Sequence, residues 1–354
     1  MARRYGLDEQ RVIAISYVPV IPDTHPKNLS IYQFYYLYGF ERIGAPVRFP
    51  WNRFGLEYRI RSSGLGQRLI RTRYNLVVAP GVGSGEVGTY ALTADGRTVR
   101  FAIDASDHAH VVSDAAYEWC DVYFKASRWE SRPYPPKVRP VVFGHNYLTA
   151  ALFARLKAYR TAPKTMDVVF INRILGGSEH NIRLFEALAA IDCRRLLICS
   201  VQGFERPEHL DRLRAAGVTI TTWIDQDAYW QAFSRGRLVF NRSGRKLSMT
   251  WKTSALLCMG SAIVFDDRPR PNWPVPLEPE RHYIDCGLGL SDDRESADAL
   301  AAIDYSKVRR TIEAALADEP RIRRIAAEGA GYYDRHAAPE RVADYIVREC
   351  LALT

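Results

Sequence analysis

Residues 236–267, GRLVFNRSGRKLSMTWKTSALLCMGSAIVFDD, constrain the fold more than any other stretch of the chain. The apolar run Leu238–Phe240 has the character of a buried strand. It gives way to the polar loop Asn241-Arg242-Ser243-Gly244-Arg245-Lys246, and an amphipathic helix is predicted over Ser248–Met259, stopped by Gly260. A second apolar run, Ser261–Phe265, delivers Asp266 and Asp267 at its end. Strand, polar loop, helix, glycine stop, strand, acid is a βαβ unit. Its first loop gathers hydroxyl, amide and cationic groups at the carboxyl end of a strand, where open α/β sheets bind ligands and helix N-termini attract phosphate.

The same alternation fills the second half. Strands are predicted at Asp167–Ile171, Arg195–Ser200 and Val218–Trp223, and helices at Glu179–Ala190, Pro207–Ala215 and Gln226–Arg235, followed by a short strand at His282–Cys286 and a run of helices from Glu295 onward. The first half shows short apolar runs at Arg11–Pro19, Asn75–Ala79, Val99–Asp104, Asp121–Lys125 and Arg139–Phe143, with helical stretches at Leu29–Ile43 and Ala150–Tyr159, which predicts a second parallel sheet. The Pro-containing segment Thr161–Thr165 is the expected hinge. The expected fold class is therefore α/β: a Rossmann-like domain over 1–162, a second over 163–304, and a helical tail over 305–354 that packs back across the hinge.

Length and composition agree with two full cores. The chain has 354 residues, 47% of them hydrophobic and 25% charged, as in a soluble globular protein. No apolar run approaches the ~20 residues needed to span a bilayer, and the start MARRYGLDEQ lacks the apolar core of a secretory signal. Six scattered cysteines without a CxxC pair point to neither a disulfide framework nor a zinc site, so a cytoplasmic location is expected. The formal charge of +9 is carried largely by arginine, the fork-shaped donor for phosphate and carboxylate. It suits an anionic ligand or an acidic membrane face, and a peripheral contact with the inner face of the membrane stays open. The absence of a contiguous basic block sets nucleic acid aside.

Residues 237–285 and the tail resemble GT-B glycosyltransferases of the group-1, spore-coat and exostosin-like types. Those enzymes carry a polar loop, a helix of the form R-x-x-E-A-L-x-x-G, an apolar strand ending in Asp, and a segment like L-x-P-G-x-H-Y. The counterparts here are Lys252-Thr-Ser-Ala255-Leu-Leu-Cys-Met-Gly260, Ser261–Asp266 and Leu277-Glu278-Pro279-Glu280-Arg281-His282-Tyr283, and Ala326–Arg348 is similar to the closing helices. The family's Arg is Lys252, its Glu falls on Ala255, and no E-x7-E pair of the retaining group is present. The resemblance implies two Rossmann-like domains and sugar transfer from a UDP-, GDP- or dTDP-type nucleotide-sugar donor to a glycan, glycolipid or small-molecule acceptor, as in polysaccharide biosynthesis. No cofactor is implied. An epimerase-like nucleotide-sugar enzyme and a non-catalytic α/β binding or scaffold protein remain the alternatives.

Such transfer needs cations or amides for the departing diphosphate and, where anomeric configuration inverts, a base for the acceptor hydroxyl. Donor candidates are Asn172, Arg173, Gly176 and Gly177 after the first strand of the second half, then Asn241, Ser243, Gly244, Arg245 and Lys246, with Lys252 one turn into the next helix. The alternative for these loops is a capped helix start with solvated charges. Base candidates are Asp107 and His108, ahead of Asp23 and His25, because a His beside a carboxylate is held in one tautomer and made more basic. Asp104 and Glu278 are the next in line. D-x-x-D-H-x-H has no established zinc spacing, so no metal site is expected and an inverting, metal-independent transfer is the reading. Gly81–Gly85 reads as an acceptor-side loop. The stripe Tyr32, Phe34, Tyr35, Tyr36, Tyr38 and Phe40 reads as core, with a lipid-facing surface as the lesser reading.

Overall fold

The computed structural model describes residues 13–18, 33–49, 87–144, 150–174, 178–201, 206–222, 224–244, 247–291 and 295–353. They fall into two compact units. One holds the described residues up to Phe153 together with Arg270–Pro276 and those from Tyr333 on; the other holds Ala154–Pro269 and Leu277–Tyr332.

In the first unit the chain forms β1 (Ala14–Tyr17), α1 (Gln33–Arg42), β2 (Val47–Arg48), β3 (Val87–Ala94), β4 (Arg97–Asp104), α2 (Asp114–Trp119), β5 (Val122–Lys125) and β6 (Val138–Pro140). The sheet order is β2-β1-β3-β4-β5-β6. This sheet is mixed, which corrects the parallel one expected: β3 runs antiparallel to both β1 and β4, while β4, β5 and β6 run parallel. The cause is local. Asp95 and Gly96 take φ of 55° and 75°, the mirror-image two-residue turn that closes a tight hairpin, and Ala94 pairs with Arg97 across it. The β3–β4 register places Tyr90 opposite Phe101, and their rings stack at 5.2 Å.

Helix α1 buries Tyr35, Tyr36, Leu37 and Phe40. The Tyr35 hydroxyl donates to the Ala337 carbonyl and Tyr38 stacks on Phe153 at 5.1 Å. A Cβ at Gly39 would lie 2.2 Å from the Pro339 carbonyl oxygen, so the helix crossing there requires a glycine. Tyr35, Tyr36 and Phe40 of the stripe are core residues, as expected, and each such buried ring contributes about 1.5–3 kcal/mol. Tyr32, Asn75–Ala79 and Gly81–Gly85 lie outside the described residues.

Helix α3 (Ala150–Ala158) leads into the second unit: β7 (Met166–Arg173), α4 (Glu179–Ala189), β8 (Arg195–Ser200), α5 (Pro207–Ala215), β9 (Thr219–Thr221), α6 (Gln226–Ser234), β10 (Gly236–Asn241), α7 (Lys252–Cys258), β11 (Ala262–Phe265) and β12 (Ile284–Asp285). Helices α8 (Ala297–Ala302), α9 (Ser306–Leu316), α10 (Glu319–Tyr332) and α11 (Pro339–Leu351) follow, and α11 belongs to the first unit. The sheet order is β12-β11-β10-β7-β8-β9, with every pairing parallel. This is the doubly wound order, and its direction reverses between β7 and β10. Strand β10 is buried along nearly its whole length, as a strand covered on both faces must be.

Gly260 takes φ of 63° and ends α7, as its sequence position predicts. The helix itself starts at Lys252 and not at Ser248. Residues 248–251 stay in the loop because the Thr250 hydroxyl bonds the Asn241 side chain at 3.1 Å.

Candidate functional site

In a doubly wound sheet the two loops that part at the reversal of strand order leave a crevice at the carboxyl edge. Here those loops follow β7 and β10. The first leaves β7 after its last residues, Asn172 and Arg173, and ends where Ser178 caps α4 by accepting from the Asn181 amide. The second runs from Asn241 to Trp251. Lys252 joins them: its Nζ donates to the Ile171 carbonyl of β7 at 3.1 Å from the first residue of α7.

The second loop is braced from within. Asn241 is fully buried; its Nδ2 donates to Thr253 Oγ1 at 3.0 Å, and its Oδ1 accepts from Thr250 Oγ1. The Ser243 amide and hydroxyl both donate to Asp266 Oδ1, at 2.7 and 2.6 Å. The Gly244 amide donates to the Ser248 carbonyl at 2.8 Å, and a Cβ at Gly244 would lie 2.3 Å from Ser248 Oγ and 3.0 Å from the Ser248 carbonyl oxygen, so a side chain here would force Ser248 to shift. Asn241, Ser243 and Gly244 therefore spend these groups on the loop's own shape. Asn172 Nδ2 likewise donates to Asn181 Oδ1 at 3.1 Å.

Three cations stand at these loops, at different depths. Arg173 is exposed, Arg242 half-buried and Lys252 buried. Burial pushes the Lys252 ammonium down to about 7; Arg242 acts in the same direction and Asp266 against it. An anion entering the crevice would stabilise the charged form. Gly176, Gly177, Arg245 and Lys246 lie outside the described residues.

Two acids missed by sequence reasoning as site residues hold the loops together. Asp266, fully buried, accepts from Ser243 on one oxygen while its Oδ2 lies 3.1 Å from His180 Nε2; His180 Nδ1 meets the Tyr305 hydroxyl at 2.7 Å. Glu295 accepts from Ser178 Oγ at 2.6 Å and from Arg242 Nη2 at 3.2 Å. The position of Asp266 at a strand end was the available signal.

In the first unit, Asp107 and His108 are half-buried in the loop after β4, and the rings of His108 and His110 lie 5.0 Å apart. Asp104, the reserve candidate, is fully buried and committed: it accepts from Lys125 Nζ at 2.7 Å, the Tyr123 hydroxyl at 2.8 Å and the Ser106 amide at 2.9 Å. That corrects its standing as a base. Asp23 and His25 lie outside the described residues. Among the described residues no three His, Cys, Asp or Glu side chains converge as metal ligands would.

The motif-bearing segment before β12 also has a physical account. Glu280 stands where the resembled segment has glycine and takes φ of 64°. The Glu278 amide donates to His282 Nδ1 at 2.9 Å, and the buried His282 ring lies 4.9 Å from that of Tyr332, so His282 braces this turn. Glu278 itself is exposed and pairs with Arg281.

The chain is similar to GT-B glycosyltransferases. The HepE protein of Anabaena in complex with UDP matches over 95% of this chain and 98% of its own, at 10% identity and a TM-score of 0.48. With UDP-glucose bound, the same protein matches over 68% of this chain and 66% of its own, at 11% identity and a TM-score of 0.46. WaaG, a glycosyltransferase involved in lipopolysaccharide biosynthesis, matches over 94% and 97% respectively, at 10% identity and a TM-score of 0.46. Sucrose-phosphate synthase of Thermosynechococcus elongatus matches over 71% and 68%, at 16% identity and a TM-score of 0.44. No family model matches the chain, and no curated protein does. No helix among the described residues is long and apolar enough to cross a membrane.

Proposed function

We propose that this protein is a glycosyltransferase whose nucleotide-sugar donor places its diphosphate at the carboxyl edge of the second sheet, between the loops after β7 and β10. The observation that carries the reading is Lys252: a buried ammonium at the reversal of strand order, with Arg242 nearby. A buried cation is costly without an anion, and an entering diphosphate removes that cost. Arg173 adds a further cation at the same edge, and Asn241, Ser243 and Gly244 shape the loop that presents them. Arg245, Lys246, Gly176 and Gly177 belong to the same proposal by their sequence positions.

In this proposal the acceptor oxygen attacks the anomeric carbon as the bond to the diphosphate breaks. The leaving charge settles on Lys252, Arg173 and Arg242. The base proposed for the acceptor hydroxyl is His108 or its neighbour Asp107, with Asp23 and His25 as the alternative. A single displacement of this kind inverts the anomeric configuration and asks for no metal.

The test is turnover. The full chain, in EDTA, is incubated with UDP-, GDP- and dTDP-sugars, and nucleoside diphosphate release and product configuration are followed by NMR. Release of one diphosphate, with inverted product when acceptor is present, is expected. C2 inversion of the free nucleotide sugar would make the protein an epimerase instead. The scaffold alternative draws on Ala255, buried at 2% exposure where the family has an acid; binding without any turnover would favour it.

A further inference from the structure

Beyond the carboxyl end of β5 the chain turns through Ala126-Ser127-Arg128-Trp129, and a second cationic cluster forms there. The Trp129 indole is buried at 2% exposure, with the guanidinium carbon of Arg132 4.6 Å and that of Arg270 5.1 Å from its ring centroid. Arg128 lies over Tyr134 at 5.1 Å. The Tyr134 hydroxyl accepts from the Trp129 amide and donates to the Ala109 carbonyl, which ties the cluster to the loop that carries Asp107 and His108. Arg270 is held in place by its own segment: Pro271 bridges Trp129, and the Asn272 amide donates to the Arg128 carbonyl at 2.8 Å.

This cluster is under-satisfied in two ways. No ion pair joins Arg128 or Arg132 to a carboxylate among the described residues, and Arg270 lies against the same indole as Arg132. Ser127 Oγ, Arg128 Nε and Trp129 Nε1 are enclosed and meet no hydrogen-bond partner among the described residues. Enclosed donors in a native structure call for acceptor oxygens. Water supplies the oxygen but not the charge; an oxyanion supplies both, in the geometry that suits a guanidinium fork.

We propose that Ser127, Arg128, Arg132 and Arg270 form an anion site of the first unit that takes a phosphate or carboxylate group borne by the acceptor. The anion site stands on its own residues; the word acceptor rests on the glycosyltransferase reading.

The test separates the two. Glucose 6-phosphate, glucuronate, glucose and inorganic phosphate are titrated at low ionic strength against the full-length protein, its Lys252→Met variant, and Lys252→Met combined with Arg128→Gln and Arg132→Gln. Intrinsic fluorescence is followed, with Trp129→Phe identifying the reporter. The two sugar acids should bind the Lys252→Met protein, and the added arginine substitutions should weaken them at least tenfold, while glucose does not bind. Unchanged binding in the arginine variant would overturn the site. Equal affinity for inorganic phosphate and glucose 6-phosphate would overturn the acceptor assignment. If the combined variant melts early, Arg132→Gln alone, at an exposed side chain, should still weaken the sugar acids about threefold, and no change there overturns the site. Nucleoside diphosphate binding that survives Lys252→Met would sink the donor reading and leave this one standing.

Discussion

Asp266 Oδ2 lies 3.1 Å from His180 Nε2, and the other oxygen of the same carboxylate takes both donors of Ser243. His180 and Asp266 are each fully buried and are separated by 86 positions, so one acid joins the start of α4 to the loop after β10. Asp266→Ala strands the Ser243 donors and the His180 ring in the interior and should destabilise the protein by about 3–5 kcal/mol. Asp266→Asn keeps an acceptor for Ser243 and a donor for His180 once the imidazole proton sits on Nδ1, so its loss should be less than half as large. Denaturant titration measures both; equal losses would show that the hydrogen-bond geometry is not what stabilises the pair.

The Lys252 ammonium gives a pH-dependent prediction. Burial holds it at about 7, against an ordinary value of 10.5 in the unfolded chain. Between those values the unfolded state binds the extra proton, so the wild-type protein gains stability as pH rises from about 7 toward 10, and below 7 it carries the full cost of the buried charge. Lys252→Met removes that dependence. Its melting temperature should exceed that of the wild type at pH 6, with the advantage shrinking by pH 9; a constant difference across this range would contradict the assignment.

Lys125 and Asp104 form a second fully buried pair, 2.7 Å apart at the ends of β5 and β4. Lys125→Met leaves Asp104 with an uncompensated charge and should cost about 3–5 kcal/mol, whereas Lys125→Met with Asp104→Leu should cost much less than the two single changes summed. A double-mutant cycle by urea denaturation reads the difference. Additive losses would mean that the pair does not act as one.

The second unit was legible in the sequence because each of its strands and helices is announced locally, by an apolar run, a polar loop and a cap such as Ser178 or Gly260. The hairpin of the first unit was equally local. Asp95-Gly96 between alternating apolar residues is a strong turn signal, and a parallel-sheet expectation passed over it. Gly96, at φ of 75°, should lose about 1–2 kcal/mol on replacement by Ala; a melting curve unchanged by Gly96→Ala would remove that explanation for the antiparallel pairing. The polar loop after β10 was visible as a site. Its inner bracing was not, since the partners of Ser243 and His180 come from distant segments and depend on sheet register. The start of α7 was misplaced for the same reason: Thr250 has acceptable helix propensity but is drawn to Asn241.

On the proposed reading, nucleoside diphosphate binds at the carboxyl edge of the second sheet and depends on Lys252. Calorimetric titration of UDP, GDP and dTDP into the wild type, Lys252→Met and Asp107→Asn proteins at pH 6.5 tests it most directly. At least one nucleotide should bind the wild type, bind Asp107→Asn equally well, and bind Lys252→Met at least tenfold more weakly, the loss of about 1.4 kcal/mol or more that one buried charge contact with phosphate implies. A nucleotide that binds the wild type and Lys252→Met with the same affinity would contradict the account.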